Sequence, residues 1–367
     1  MEAAWRERRI LWLSGVRRIG KTSLAQQIRD AIYFNCDRPS VRREMEDPEF
    51  FLANAPPNST LVLDEIHRLD NPTELLKLAA DEYPSIRILA TGSSTLSATK
   101  AFSDTLTGRK VAIHLSPVLW RERDTFGITS LDTRLVRGGF PETVLGKADR
   151  GAFFGEWMDS YYARDIVELF RIRDPSGYLR LVEILFRRST GQLETTDLAK
   201  ESGLSRPTVD SYLAAMEMSH VIFRLRPFHG GGTREIVRQP KVYGFDTGFV
   251  CWVRGWDEVT PEVRGRLWEH LVLDELRCSV EDRRLRYWRD KSGREIDFVV
   301  DRGNGVVDTI EAKINPERVD HKNLEAFRAL YPDGSDYVAV PFCERPRALK
   351  IANRRVIVNE PARIPTE

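Results

Sequence analysis

Cysteine is sparse in this chain and badly spaced for metal or disulfide chemistry. Cys36, Cys251, Cys278 and Cys343 stand far apart and form no C-x-x-C pair, which argues against a zinc ribbon or a disulfide framework. Long apolar runs are missing as well, and no segment approaches the length of a membrane span. The opening "MEAAWRERRILWLSG" carries charge around the short apolar core "ILWL", too little for a secretory signal, so a reduced cytoplasmic compartment is the expectation. Net charge is nearly absent, +1 from 56 basic and 55 acidic residues. Global charge therefore points neither to nor away from nucleic acid, and any basic footprint must be local. There is no internal repeat and no low-complexity linker.

What remains is the composition of a globular protein, 41% apolar and 30% charged over 367 residues, enough for two or three domains. Strand and helix patterns alternate to about residue 117, helices dominate to about 222, and strands then return. The order predicts a nucleotide-binding α/β domain, a helical middle and a C-terminal α+β domain.

The stretch "LWLSGVRRIGKTSLAQQI" carries the strongest local signal. A buried strand, "ILWL", runs into a turn bracketed by Gly15 and Gly20, and Lys21-Thr22 open a helix predicted to continue through Leu24, Ile28 and Ile32. That is G-x-x-x-x-G-K-[ST] in its required setting, where backbone amides cradle phosphate. Arg17 within the loop and Ser23 directly after Thr22 complete the candidate nucleotide-binding residues. Lys21 would reach the β/γ-phosphates of a bound triphosphate, and the Thr22 hydroxyl would ligate magnesium.

A second strand, "STLVLDEIHRL", ends in Asp64 and Glu65, one carboxylate for the magnesium shell and one to orient water. Two acids at the end of a buried strand are costly without such a task. A third, "SIRILATGSS", ends in Thr91-Gly92-Ser93-Ser94, where the hydroxyls, that of Ser93 among them, would sense the γ-phosphate, or "GSS" would simply open a loop.

In the middle, "LETTDLAKESGLSRPTVDSYLAAMEMSHVIFRLRPF" has a helix-turn-helix cadence. Thr196, Leu198 and Ala199 share a short helix, Gly203 ends it, and Ser205 caps the next with Pro207 in its first turn. Val209, Leu213 and Met216 then lead to a strand, as in a winged helix. Arg206 opens the second helix. Arg224, Arg226, Arg234, Arg238 and Lys241 face the single acid Glu235 across a hairpin with "HGGGT" at its tip. Such a hairpin would track a DNA backbone, although winged helices also act as spacers or protein docks.

Farther on, "REIDFVVDRGNGVVDTIEAKI" reads as a hairpin with Asp297 opposite Glu311, and Lys313 on the same face as Glu311. Glu269 lies on a helical face with Val272, Leu273 and Leu276. Two acids and an ammonium on one sheet face suit a magnesium or manganese ion, or else form a structural ion-pair ladder.

Taken together, "GVRRIGKTSL", "LVLDEIHRL", "TGSS", "LTGRKVAIHLSPVLWRE", "GGFPE", "YYARDI", "VYGFDTGF" and the "E…EID…EAK" series resemble the prokaryotic AAA-type ATPases whose C-terminal region is the domain of unknown function DUF4143. The resemblance covers nearly the whole chain. It implies an ATPase core at 1–117, a helical lid or linker at 118–180, a winged helix at 181–240, and a domain similar to PD-(D/E)XK nucleases at 241–367. In such nucleases a helix Glu, a strand Asp and an E-x-K strand make the site, matching Glu269, Asp297, Glu311 and Lys313. The Gly108-Arg109 pair matches a G-R motif, making Arg109 the candidate for a charge-stabilising arginine offered to a neighbour in a homo-oligomeric ring such as a hexamer. Val16 and Arg18 depart from the family's G-P-R-Q-x-G-K-T loop without touching the obligatory contacts. The short segment before the first strand leads us to expect that a family N-terminal element is absent. The functional expectation is an ATP-dependent motor acting on branched or duplex DNA in repair or recombination, with metal-dependent nuclease activity as a further possibility. The alternative is an ATP-gated switch that binds a protein or promoter without translocating.

Overall fold

The apolar run that opens the chain becomes β1 (Ile10–Ser14), followed by β2 (Ala31–Asn35), β3 (Thr60–Asp64), β4 (Arg87–Thr91) and β5 (Lys110–His114). These elements come from a computed structural model that describes residues 1–92, 100–166, 172, 174–230 and 239–365. By internal contacts the chain divides into two units interleaved in sequence. One comprises Met1–Ser116, Gly155–Ile172 and Ala214–Val221; the other, Pro117–Phe154, Arg173–Leu213 and Ile222–Glu367.

In the first unit the five strands form one sheet in the order β2-β3-β4-β1-β5, parallel throughout. A parallel sheet buries both faces, so its strands are apolar on alternate sides. Ile10, Trp12, Leu61, Leu63, Ile88 and Ala90 share one buried cluster with Phe51, Leu75 and Phe102, the Trp12 and Phe102 rings lying 4.7 Å apart. Leu11, Leu13, Val62 and Leu89 share the other with Trp5 and Ala25. The first unit is thus a mixed α/β fold built on a parallel sheet, in agreement with the nucleotide-binding α/β domain expected there.

One local expectation is corrected. The helix that begins at Lys21 ends at Ala25, and Ile32, expected on its apolar face, lies in β2 opposite Leu61. Asp30 takes a left-handed backbone, φ 58°, which turns the chain. Ladder pairing of the aromatic and β-branched run "AIYFN" with β3 outweighs the helical spacing.

In the middle of the chain the helix Thr195–Ser202 ends at Gly203, left-handed at φ 71°. The Ser205 hydroxyl accepts the Thr208 amide at 3.3 Å as the helix Arg206–Met218 begins. In the second unit β6 (Ile222–Leu225) and β7 (Lys241–Gly244) pair antiparallel, with Ile222 opposite Gly244.

A six-stranded mixed sheet forms the C-terminal part of this unit: β8 (Leu285–Arg289), β9 (Glu295–Gly303), β10 (Val306–Ala312), β11 (Asp336–Ala339), β12 (Arg347–Ile351) and β13 (Arg354–Asn359). Their order is β12-β13-β11-β10-β9-β8. β9 and β10 make the expected hairpin, with Ile310 opposite Phe298. The helix His321–Leu330 buries Phe327 with Trp288, Ile296 and Val307, and Leu324 with Val338, Val356 and Val358. The helix Pro261–Arg277 is tied to the sheet by Trp268 Nε1, which donates to Ala339 O at 3.0 Å.

Several motifs quoted above meet as packing in this unit. Arg134 is fully buried; its Nε donates to Val118 O at 3.0 Å and its Nη1 to Thr247 Oγ1 at 3.2 Å. Asp246 accepts the Gly139 amide at 2.6 Å and caps the helix Thr247–Arg254 through the Phe249 amide at 2.9 Å. The Arg121 amide donates to Glu275 at 2.8 Å. "SPVLWRE", "GGFPE" and "FDTGF" thus form one hydrogen-bonded network around a buried guanidinium.

Candidate functional site

Every strand of the first sheet points its C-terminal end the same way, so the loop after β1 and the acids after β3 open at one edge, where ligands of open α/β sheets bind. Gly15 cannot carry a side chain, because a Cβ there would come within 2.6 Å of Leu115 O. Gly20 caps the helix Lys21–Ala25 in a left-handed conformation, φ 103°. Lys21 is buried, 8% exposed, and its ammonium donates to Gly15 O at 2.9 Å and Val16 O at 3.1 Å. Thr22 is half-buried and Ser23 exposed. Arg17 O accepts Trp157 Nε1 at 2.9 Å, which pins the loop crest.

Asp64 ends β3, buried, with both carboxylate oxygens engaged. Oδ2 accepts the Tyr33 hydroxyl at 2.6 Å, and Oδ1 accepts the Thr91 hydroxyl. The same Thr91 oxygen accepts the Glu65 amide at 3.1 Å. Glu65 has a left-handed backbone, φ 56°, a rare and strained choice for a non-glycine residue, and its carboxylate meets His67 Nδ1 at 3.2 Å. Burial raises the Glu65 pKa and Asp64 adds to the effect, while Lys21 and Arg17 pull it down. Burial and Asp64 also push the Tyr33 phenol upward. The structure therefore brings Gly15, Gly20, Lys21, Asp64 and Glu65 to one edge, with Tyr33 and His67 as partners that sequence reasoning did not single out, and with Thr91, read from sequence as one of the hydroxyls at the end of its strand, bonded to the two acids. Ser93 lies outside the described residues.

Arg109 stands elsewhere. It precedes β5, whose Lys110 pairs with Ile10 at the start of β1, so it is at the opposite edge of the sheet from Gly15. Its guanidinium grips Asp81 with two bonds of 2.7 and 3.0 Å, and this pairing lowers the Asp81 pKa.

In the second unit the predicted acids lie in one cluster but are divided between two ammoniums. Lys313 Nζ bridges Asp297 Oδ2 at 2.6 Å and Glu311 Oε2 at 2.7 Å. Glu269 is held by Lys241 at 2.9 Å and by the Tyr243 hydroxyl at 2.6 Å, and Lys241 also pairs with Glu295. Burial and Asp297 push Glu311 up to about 8 against the pull of Lys313. Against its own burial, Asp297 is held below the ordinary carboxylate range by Lys313 and Lys241. Among the described residues no group of three or more His, Cys, Asp or Glu side chains is placed to hold a metal ion. Lys241, read from sequence as a hairpin cation, is 3% exposed and belongs to this cluster. Of the other basic residues, Arg206 and Arg226 are exposed and Arg224 is half-buried; Arg234 and Arg238 lie outside the described residues. No helix among the described residues is long and apolar enough to cross a membrane.

Three segments of the chain are similar to known families. Residues 7–123 match the model of an AAA domain, residues 128–260 that of a domain of unknown function, DUF8612, and residues 264–359 that of the domain of unknown function DUF4143. The uncharacterized protein Rv2008c of Mycobacterium tuberculosis is 26% identical over 304 residues, 80% of this chain and 67% of that protein; the uncharacterized protein Mb2031c of Mycobacterium bovis matches equally. Among solved structures, the Walker-type ATPase PABY2304 of Pyrococcus abyssi is 17% identical, covering 69% of this chain and 93% of that one, with a TM-score of 0.42. The Aeropyrum pernix ORC1 protein, solved in complex with DNA, is 12% identical, covering 68% and 86%, with a TM-score of 0.28.

Proposed function

We propose that this chain is an ATP hydrolase whose turnover is coupled to DNA. The observation that carries the proposal is the convergence, at one edge of a parallel sheet within an AAA domain, of a glycine-bracketed loop, a buried Lys21 and the Asp64–Glu65 pair fixed by Thr91.

The residues suit a magnesium–triphosphate substrate. A loop with no room for a Cβ at Gly15 lets backbone amides approach phosphate oxygens, and a buried ammonium beside it balances β/γ charge. Thr22 and Asp64 are the candidate metal ligands, and bound magnesium would neutralise charge on the phosphates. Glu65, more basic than an ordinary carboxylate because it is buried, orients the attacking water and takes up its proton. Arg17 sits in the loop and Ser23 follows Thr22, both within the candidate nucleotide-binding segment. Arg109 is too far around the sheet to serve its own chain's site, so in a homo-oligomeric ring it would act on a neighbour's phosphates after leaving Asp81.

In this reading residues 1–117 are the motor core, 118–180 a lid or linker, and 181–240 a winged helix that contacts DNA through Arg206, Arg224, Arg226, Arg234 and Arg238. The C-terminal cluster does not suit a divalent cation, since one ammonium already joins Asp297 to Glu311 and Glu269 is taken by Lys241; no cleavage step is derived from it.

The test is ATP turnover of wild type and Glu65→Gln across single-stranded, duplex and branched DNA. Stimulation by DNA that disappears in Glu65→Gln supports the proposal; turnover indifferent to every DNA tested overturns the coupling. A second reading, an ATP-gated switch that binds a protein partner, is favoured by the second helix of the pair, which offers Arg206 alone against Asp210 and Glu217. Salt-insensitive partner binding that requires ATP would select it.

A further inference from the structure

Beside the loop that joins β11 to β12 lies a groove of about 840 Å³, lined in part by Phe342, Arg345, Arg347, Glu344, Arg264 and Asp132. Phe342 is 61% exposed, yet its ring is fixed. It packs edge-on against Trp120 at 5.3 Å, and the Arg123 guanidinium lies 5.2 Å from the Trp120 ring and 5.8 Å from the Phe342 ring. Glu360 holds that guanidinium by two bonds of 3.0 and 3.1 Å and accepts the Cys343 amide at 3.2 Å. Arg363 donates to Cys343 O and Glu344 O at 3.1 and 3.2 Å. A phenyl ring is thus presented to solvent on a loop tied down on three sides, which removes most of the ordering cost of binding against it.

The charges around the ring are not balanced. Arg264 is paired with Asp132, while its Nε is buried without a hydrogen-bond partner among the described residues. Arg345 and Arg347 are exposed, and neither has an ion-pair partner among the described residues. With Asp132 neutralised, Glu344 is the remaining acid among the lining residues, against these two guanidiniums. An exposed aromatic ring in one groove with two arginines that have no ion-pair partner among the described residues matches a ligand that carries flat apolar faces at intervals along a phosphate chain.

We infer that this groove binds a single-stranded segment of nucleic acid, with a base stacked on Phe342 and phosphates engaged by Arg345 and Arg347. The inference rests on the DNA-coupled reading above and adds a strand-selective site that the arginines of the middle segment do not supply. Stacking is indifferent to base identity, so the site grips a strand without reading its sequence.

Fluorescence anisotropy of the full chain with labelled oligothymidylate, a labelled duplex and an acidic peptide tests it. Phe342→Ala should weaken oligothymidylate binding about tenfold and Phe342→Trp should restore it, with duplex binding and basal ATP turnover unchanged. Arg345→Gln combined with Arg347→Gln should lower the slope of log affinity against log salt by about 1.4. Thermal melting checks that each variant is folded. Oligothymidylate binding unaltered in Phe342→Ala, or an acidic peptide bound in its place, overturns the inference. If the wild type binds duplex and is stimulated by it but ignores oligothymidylate, the groove is misassigned while DNA coupling stands; if no DNA binds or stimulates, both fail.

Discussion

The Thr91 hydroxyl donates to Asp64 Oδ1 and accepts the amide of Glu65, so a single β4 side chain positions both acids at the end of β3. Because the Glu65 backbone is left-handed, the hydrogen bond from its amide to Thr91 Oγ1 helps to hold a conformation that the chain would not otherwise favour.

Replacing Thr91 with valine keeps the shape and removes the hydroxyl. The loss leaves a buried carboxylate oxygen and an amide short of a partner, which costs about 1–3 kcal/mol. Thr91→Val should therefore lower the urea midpoint and reduce ATP turnover, while Thr91→Ser keeps most of both. Turnover at the wild-type level in a folded Thr91→Val protein would remove Thr91 from the site.

Glu65 gives the acid limb of the pH–rate profile a definite direction. Its carboxyl is raised by burial, with Asp64 adding and Lys21 opposing, and the ionised form is the one that accepts a proton from water. Turnover should fall as pH drops through a value above the roughly 4.3 of an ordinary glutamate. Glu65→Gln should lower turnover by about a hundredfold or more and lose this limb, while still binding ATP in calorimetry. A limb that survives in Glu65→Gln belongs to another group.

The loop and the acid pair were legible because each is local: glycines, a lysine and a threonine at fixed spacing after one strand, two acids at the end of another. The hairpin register that sets Glu311 beside Asp297 was legible for the same reason, since a short turn fixes which residues face each other. Partners reached across the sheet were not. Tyr33 reaches Asp64 because β2 lies beside β3, and Thr91 because β4 lies on the other side. Neither adjacency is written in either strand alone. Lys241 misled for the complementary reason: its basic neighbours suggested a surface, while Glu269 and Glu295, distant in sequence, bury it. Asp81 likewise claims Arg109 from a separate helix.

Lys241 should be structural. Burial works against its charge, yet Glu269, Glu295 and Asp297 together raise its pKa, so the ammonium is held by acids that need it as much as it needs them. Lys241→Met would leave Glu269 and Glu295 without their counter-ion, and breaking such a buried pair costs about 3–5 kcal/mol. Denaturant unfolding should show that loss, and the double change Lys241→Met with Glu269→Gln should recover part of it. A Lys241→Met protein of wild-type stability that has lost duplex binding would return this lysine to the DNA-facing surface.

The last prediction concerns the buried acids of the Arg134 network. Burial pushes Asp274 up to about 8, against the pull of Arg134 and Arg277, whereas an unfolded aspartate titrates near about 3.9. The folded chain therefore keeps a proton that the unfolded chain has released. The stability tied to that proton is fully present below about pH 4 and is lost progressively as pH rises toward about 8. Asp246 and Glu275 are also raised by burial and tilt the wild-type curve the same way, so the informative quantity is a difference. Asp274→Asn keeps the shape and cannot ionise; its urea midpoint should fall less than that of wild type between about pH 5 and pH 8. Parallel pH dependence in the two proteins would mean that Asp274 is ionised in the fold and that Arg134 and Arg277 outweigh its burial.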